Sequence, residues 1–156
     1  MYWNRNFAAI IDGCTAPRAH SDDTWINPEI RRLYICLHKL GFAHSVEAYH
    51  QGALVGGLYG VAIGGAFFGE SMFSLVSNAS KIALCHLMAR LRYGNFRLLD
   101  AQFVNDHLIQ FGIEAITKDI FQNQLEEAIN CKASLCLDIP ESVILQSFWQ
   151  DNKMTS

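Results

Sequence analysis

The chain has 156 residues, 51% hydrophobic and 17% charged, with a formal net charge of −3. This composition excludes a disordered chain and bulk attraction to nucleic acid, and the length fits one domain whose core needs neither disulfides nor metal. Any polynucleotide must then meet a local patch, for which Arg90, Arg92 and Arg97 are the candidates. Apolar residues at 7, 10, 11 and 14 predict a helix over Asn6–Cys14, followed by a polar loop over Thr15–Asp23. Asn27 is placed to cap a second helix, with Pro28 at its first position and Glu29 in its first turn. Its apolar stripe is Ile30, Leu33, Leu37 and Leu40, and Gly41 ends it.

Three strand-like runs follow. Ala43–His50 alternates Ser45, Glu47 and Tyr49 with His44, Val46 and Ala48, and Gln51-Gly52 is a turn candidate. Leu54–Ile63 and Ala66–Phe73 come next, broken at Gly64-Gly65, so hairpins would join the three into an antiparallel meander. A strong helix is predicted from Ser77 to Leu91, capped by Ser77 or Asn78 and stopped by Gly94. Phe96–Ala101 then reads as a strand that would pair in parallel through a crossover. Asn105–Phe111 reads as a short helix, Ile113–Ile116 as a strand and Asp119–Ile129 as a helix with Phe121, Leu125 and Ile129 on one face. Asp138–Trp149 fits a terminal helix begun by Pro140. The order of elements indicates α+β with a mixed sheet.

The run Gly52–Gly69 is uncharged, carries seven glycines and ends on Glu70. Its Gly56-x3-Gly60-x3-Gly64 spacing also fits a transmembrane glycine zipper. Seven glycines are costly in a helix, however, no Lys or Arg flanks the run to set orientation, and its surroundings alternate as strands do. Strands that let backbone pass close to a ligand or neighbour fit better, and no membrane partner is expected.

Cysteines at 14, 36, 85, 131 and 136 lie among apolar neighbours, and no signal peptide opens the chain. They are expected to be reduced, buried thiols of a cytoplasmic protein. Neither these cysteines nor the six histidines show metal-ligand spacing, so no metal is expected.

Glu70 is costly to bury and needs a partner or a substrate. Around it stand Phe67-Phe68-Gly69-Glu70-Ser71-Met72-Phe73-Ser74 and Asn78-Ala79-Ser80-Lys81. In order along the chain there are also Thr24-Trp25-Ile26, Leu37-His38, Gly41-Phe42-Ala43-His44-Ser45-Val46-Glu47, Leu54-Val55-Gly56-Gly57-Leu58-Tyr59-Gly60-Val61 and Asp100-x-Gln102-x2-Asn105-Asp106-His107-Leu108. Together these pieces, covering about Phe7 to Glu127, resemble the leucyl/phenylalanyl-tRNA–protein transferase family.

The resemblance implies an acetyltransferase-like (GNAT-type) fold, with a mixed, mostly antiparallel sheet flanked by helices, repurposed for aminoacyl-tRNA. No Arg/Gln-x-x-Gly-x-Gly pyrophosphate loop is present, and no cofactor is expected. The implied reaction moves Leu, Phe or Met from tRNA to the N-terminal Lys or Arg of a protein, marking it for degradation in the N-degron pathway. Carried over by motif, Asp100, Gln102 and Glu70 form the catalytic group. Leu58, Phe67, Met72, Leu84, Leu87 and Leu99 would take the transferred side chain, Trp25 the terminal adenosine, and Asn105 a polar role on the acceptor side. On a strand, Asp100 and Gln102 would face the same way. Glu70 would suit a cationic N-terminus.

Each residue also has a structural reading. Asp100 could be a turn or cap residue, Gln102 a solvated side chain, Glu70 an ion-pair partner and the apolar set plain core. The chain lacks the Gly-x-Phe-Pro-Trp and Trp-Ser-Pro-type stretches of typical members, so the resemblance implies a short form without the usual N-terminal domain, one that a homo-oligomer partner could complement. The expected organisation is a transferase domain over 1–130 and an unassigned extension over 131–156. The alternatives are a related acyltransferase with a smaller donor and a non-catalytic module that binds basic N-termini.

Overall fold

A computed structural model describes residues 1–16, 24–102 and 106–154. Its strands are β1 (Tyr2–Trp3), β2 (Ala43–His50), β3 (Ala53–Ile63), β4 (Ala66–Ser74) and β5 (Leu98–Asp100), in the spatial order β1-β2-β3-β4-β5. The helices are α1 (Phe7–Thr15), α2 (Pro28–Lys39), α3 (Ala79–Tyr93), α4 (Asp106–Ile109), α5 (Lys118–Ile129) and α6 (Glu141–Met154). β1 and β2 pair antiparallel, as do β2 and β3, whereas β5 returns after α3 to lie parallel to β4. This is the α+β class with a mixed, mostly antiparallel sheet, as a GNAT-type chain requires. The glycine-rich run forms β3 and β4. Among the described residues, no helix is long and apolar enough to cross a membrane.

By internal contacts the chain divides into two compact units: Met1–Val61 with Ser71–Met88, and Ala62–Glu70 with Ala89–Ser156. In the first, Asn6 caps α1 by accepting from Ala9 N at 3.2 Å, and Asn27 caps α2 by accepting from Ile30 N at 2.9 Å. Phe7, Ile10, Ile11 and Cys14 of α1 close on Ile26, Ala43 and Tyr59. Val46 O lies 2.5 Å from where a Cβ on Gly57 would stand, so only glycine lets the β2 backbone pass there. Gln51 and Gly52 both have positive φ, +50° and +82°, and form the two-residue turn that sets the β2/β3 register at His50↔Ala53.

One expectation changes in this unit. The inward face of α2, partly buried, is Ile30, Tyr34, Ile35 and Leu37, while Leu33 and Leu40 are 54% and 65% exposed. Tyr34 rotates the stripe because its ring meets Tyr59 edge-on at 5.1 Å. The polar side of β2 is also interior. Ser45 and Glu47 are fully buried, and Glu47 accepts hydrogen bonds from Asn6 N (2.7 Å), Ser45 Oγ (2.9 Å) and Tyr49 Oη (3.2 Å). A buried carboxylate so surrounded ties β2 to the start of α1.

In the second unit, Arg90 is buried and donates to the carbonyls of Leu135 (3.1 Å), Cys136 (2.6 Å) and Ile139 (3.4 Å) and to Glu141 Oε2 at 2.5 Å. Its guanidinium therefore fastens the segment before α6, so the expected surface trio of Arg90, Arg92 and Arg97 loses its first member. Ile113–Ile116 is irregular rather than a strand. It follows Gly112, whose φ is +77°, runs into Thr117, the cap of α5, and pairs with no β-strand among the described residues. A short apolar stretch has β-propensity but gains nothing from it without a partner edge. On α5, Ala128 is buried where Ile129 was expected inward; Ile129 is 44% exposed. The cysteines are also less buried than expected: Cys14 is in the core, Cys36 and Cys85 are exposed, and Cys131 and Cys136 lie between.

Candidate functional site

The second unit assembles a polar group from β4 and the end of β5. Phe68 pairs with Asp100 across the parallel strands, which brings the end of β5 beside the stretch that carries Glu70. β5 stops at Asp100, so Gln102 lies beyond it in a bend with φ +62°. The two side chains are thus not aligned by strand alternation, as expected from sequence. A turn links them instead: Asp100 Oδ1 accepts from Gln102 N at 2.8 Å. The Gln102 side chain reaches across, and its Nε2 donates to Glu70 Oε2 at 3.1 Å. With the amide nitrogen committed to Glu70, Gln102 Oε1 is the acceptor end of the group.

The backbone of Gln102 is costly. An L-residue without a short polar side chain loses about 1–2 kcal/mol in the left-handed region. Glycine would avoid that penalty, yet here the residue is held by two carboxylates, Asp100 on its backbone N–H and Glu70 on its side-chain amide. Such outliers concentrate where a side chain must be aimed.

A pocket of about 470 Å³ opens from this group within the same unit. Asp100 and Gln102 form part of its wall, with Glu114 and Lys118 as further polar residues. Leu99, Ile113, Ile116 and Phe121 supply its apolar wall. Glu114 and Ile116 were not expected as lining residues because Ile113–Ile116 reads as a strand, and Lys118 lies between that stretch and the expected helix Asp119–Ile129. The signal available was Gly112 followed by the Thr117 cap, which leaves four residues between them with no regular element to join.

The remaining expected residues stand as follows. Leu58, Leu84 and Leu87 are buried in the first unit, where Met72 is half-buried. Phe67 is fully buried in the second unit and Leu99 partly so. Trp25 is 51% exposed in the first unit, edge-on to Tyr34 with ring centroids 6.2 Å apart. Asn105 lies outside the described residues.

A family model described as leucyl/phenylalanyl-tRNA protein transferase matches residues 1–126. A relative of that name from Rhodopseudomonas palustris (strain TIE-1) is 53% identical over 140 residues, which is 88% of this chain and 62% of the relative. Another, from Zymomonas mobilis, is 54% identical over 127 residues, covering 81% of this chain and 47% of the relative. The chain thus spans roughly half to three fifths of the length of such curated relatives.

Proposed function

The chain belongs to the leucyl/phenylalanyl-tRNA–protein transferase family, and we propose that it moves Leu or Phe, and Met, from aminoacyl-tRNA to the N-terminal Lys or Arg of a protein. The observation that carries the proposal is the Asp100–Gln102–Glu70 arrangement, with Gln102 held in a strained backbone conformation. On this reading the protein works in the cytoplasm, in the N-degron pathway, and residues 1–130 form the transferase domain.

The donor ester is already activated, so the protein has to position two reactants and handle one proton. The acceptor's α-amine has a pKa near 8, and a carboxylate is base enough for it. Gln102 Oε1 takes an N–H of the amine and aims its lone pair at the ester carbonyl. The C–N bond forms, the ester C–O bond breaks, and the amine proton passes by way of Asp100 to the departing ribose hydroxyl. Glu70 orients the Gln102 amide and offers negative charge to the cationic side chain of the acceptor's first residue. Leu58, Phe67, Met72, Leu84, Leu87 and Leu99 are assigned to the transferred side chain, Trp25 to the terminal adenosine and Asn105 to the acceptor side.

The test is transfer of labelled Leu or Phe from charged tRNA to an Arg-initiated peptide by the wild type and by Asp100→Ala. Wild-type transfer at least about 100-fold above the variant is the expected result, the scale on which one misaligned group slows a positioned reaction. Equal null results for both proteins would end the transferase reading.

A further inference from the structure

The proposed chemistry fixes where the acceptor begins and leaves open where it continues. Its amine lies at Gln102 Oε1 and its first side chain turns to Glu70, which is within hydrogen-bond reach of Gln102. The chain must leave by its one other exit, the carbonyl. Consecutive Cα atoms are 3.8 Å apart, so the second residue stands within one residue's reach of Asp100 and Gln102. The 470 Å³ pocket fills that space, since these same two residues are in its wall. Beyond them the wall includes Ile113, Ile116 and Phe121, a surface that rewards an apolar side chain. Ala101 and Ala115 are its small members and keep the space open.

We infer that this pocket receives the second residue of the acceptor and makes the transferase selective for an apolar side chain there, with Ile116 and Phe121 as specificity-determining residues. The inference rests on the transfer reading above and adds a second determinant to the basic first residue. Glu114 and Lys118 are further polar members of the wall, one of each charge, and can serve as partners for the acceptor's peptide groups. An apolar second residue gains from the wall, whereas glycine gains nothing and an acidic residue would be desolvated beside Asp100.

The experiment compares Arg-Leu-, Arg-Phe-, Arg-Gly- and Arg-Asp-initiated peptides as acceptors, using the 156-residue chain and two variants. Ile116→Ser changes an irregular segment whose side chain is 36% exposed, so it guards against misfolding of Phe121→Ala. The wild type is expected to favour Arg-Leu over Arg-Gly by about 10-fold or more in kcat/KM, within the range one apolar contact provides. In both variants that ratio falls towards one. A wild-type ratio of one, or the same ratio in all three proteins, overturns the inference. So does a variant that alters the choice between leucyl- and phenylalanyl-tRNA instead, because the pocket would then serve the donor. If no peptide is a substrate, the transfer reading fails by itself. The pocket is then judged by titration calorimetry of the same peptides, where equal affinity for Arg-Leu and Arg-Gly in the wild type overturns the inference.

Discussion

Gln102 and Glu70, 32 positions apart in the chain, are joined by a 3.1 Å hydrogen bond from the amide nitrogen of one to the carboxylate of the other. The contact exists because the parallel pairing of β4 and β5 brings Phe68 opposite Asp100, and because the chain then turns through a left-handed residue. Each step depends on the one before. Without the crossover there is no adjacent strand, and without the turn the amide would follow the strand's alternation and miss Glu70.

Replacing Gln102 with glycine separates the role of the side chain from the cost of its backbone. The left-handed conformation costs a non-glycine residue about 1–2 kcal/mol, which glycine does not pay. Glycine gives some of this back through unfolded-state entropy, so Gln102→Gly should be neutral or more stable by up to about 1 kcal/mol. Transfer should nevertheless fall by about 100-fold or more as the amine loses its orienting acceptor. Denaturant midpoints and single-turnover rates measured together check this. A variant that is markedly less stable and still active would contradict the assignment.

Glu70→Gln keeps the size of the side chain and removes its charge. An Arg-initiated peptide should then bind about 10-fold more weakly, in keeping with the loss of a charge-assisted contact of about 1.5–3 kcal/mol that solvent partly offsets. A peptide beginning with a neutral residue should bind both proteins alike. Titration calorimetry reads both, and equal affinity of wild type and variant for the Arg peptide would remove Glu70 from acceptor recognition.

Local signals carried far in this chain where they concerned backbone. Asn27-Pro28, Gln51-Gly52 and Gly94 announced a helix start, a turn and a helix stop, and each has a single-residue physical cause. The parallel return of β5 was legible too, because a strand after a long helix has few other places to go. The orientation of α2 was not, since Tyr34 competes with Leu33 for the core and only the presence of Tyr59 decides it. Arg90 was misread for a related reason: its partners are carbonyls more than 40 positions away, which no pattern in α3 reveals. The family motif gave the residues of the polar group, but the turn that joins Asp100 to Gln102 and the pocket beyond it depend on where the chain leaves regular structure.

Arg90→Leu tests the fastening of the segment before α6. The substitution preserves apolar bulk in α3 and strips four acceptors of their donor, among them the Glu141 carboxylate. Leaving a buried acceptor without its donor costs about 1–3 kcal/mol, whereas Glu141, 24% exposed, is partly solvated. A loss of that order is expected, with amide exchange from Ser134 to Ile144 rising more than exchange in α1 or β2. Arg90→Lys should recover little, since an ammonium cannot span the same acceptors as the planar fork. Unchanged stability in Arg90→Leu would show that the segment holds its place without the guanidinium.

His44 gives the fold a pH dependence whose sign follows from its tautomer. Asn4 Oδ1 accepts from Ser45 N at 2.9 Å, so the Asn4 amide presents its NH₂ to His44 Nδ1 at 3.0 Å. Nδ1 is therefore an acceptor, and Nε2–H donates to the Gly41 carbonyl at 3.0 Å. The ring is held neutral, and burial pushes its pKa below the ordinary histidine value, with the backbone acceptor at Gly41 opposing and nearby His38 adding to the shift. A base whose pKa is depressed by folding binds its proton more readily in the unfolded chain. Its contribution is thus complete above the unfolded value of about 6.5 and is lost as pH falls towards the folded value. Across that window the stability of the wild type should drop with a slope of up to about 1.4 kcal/mol per pH unit from this residue. His44→Gln, which puts a neutral polar amide at the same place and cannot titrate, should flatten that part of the profile. Urea denaturation at pH 7.5, 6.5 and 5.5 for both proteins measures the two slopes, and identical slopes would show that His44 does not set the acid limit of the fold.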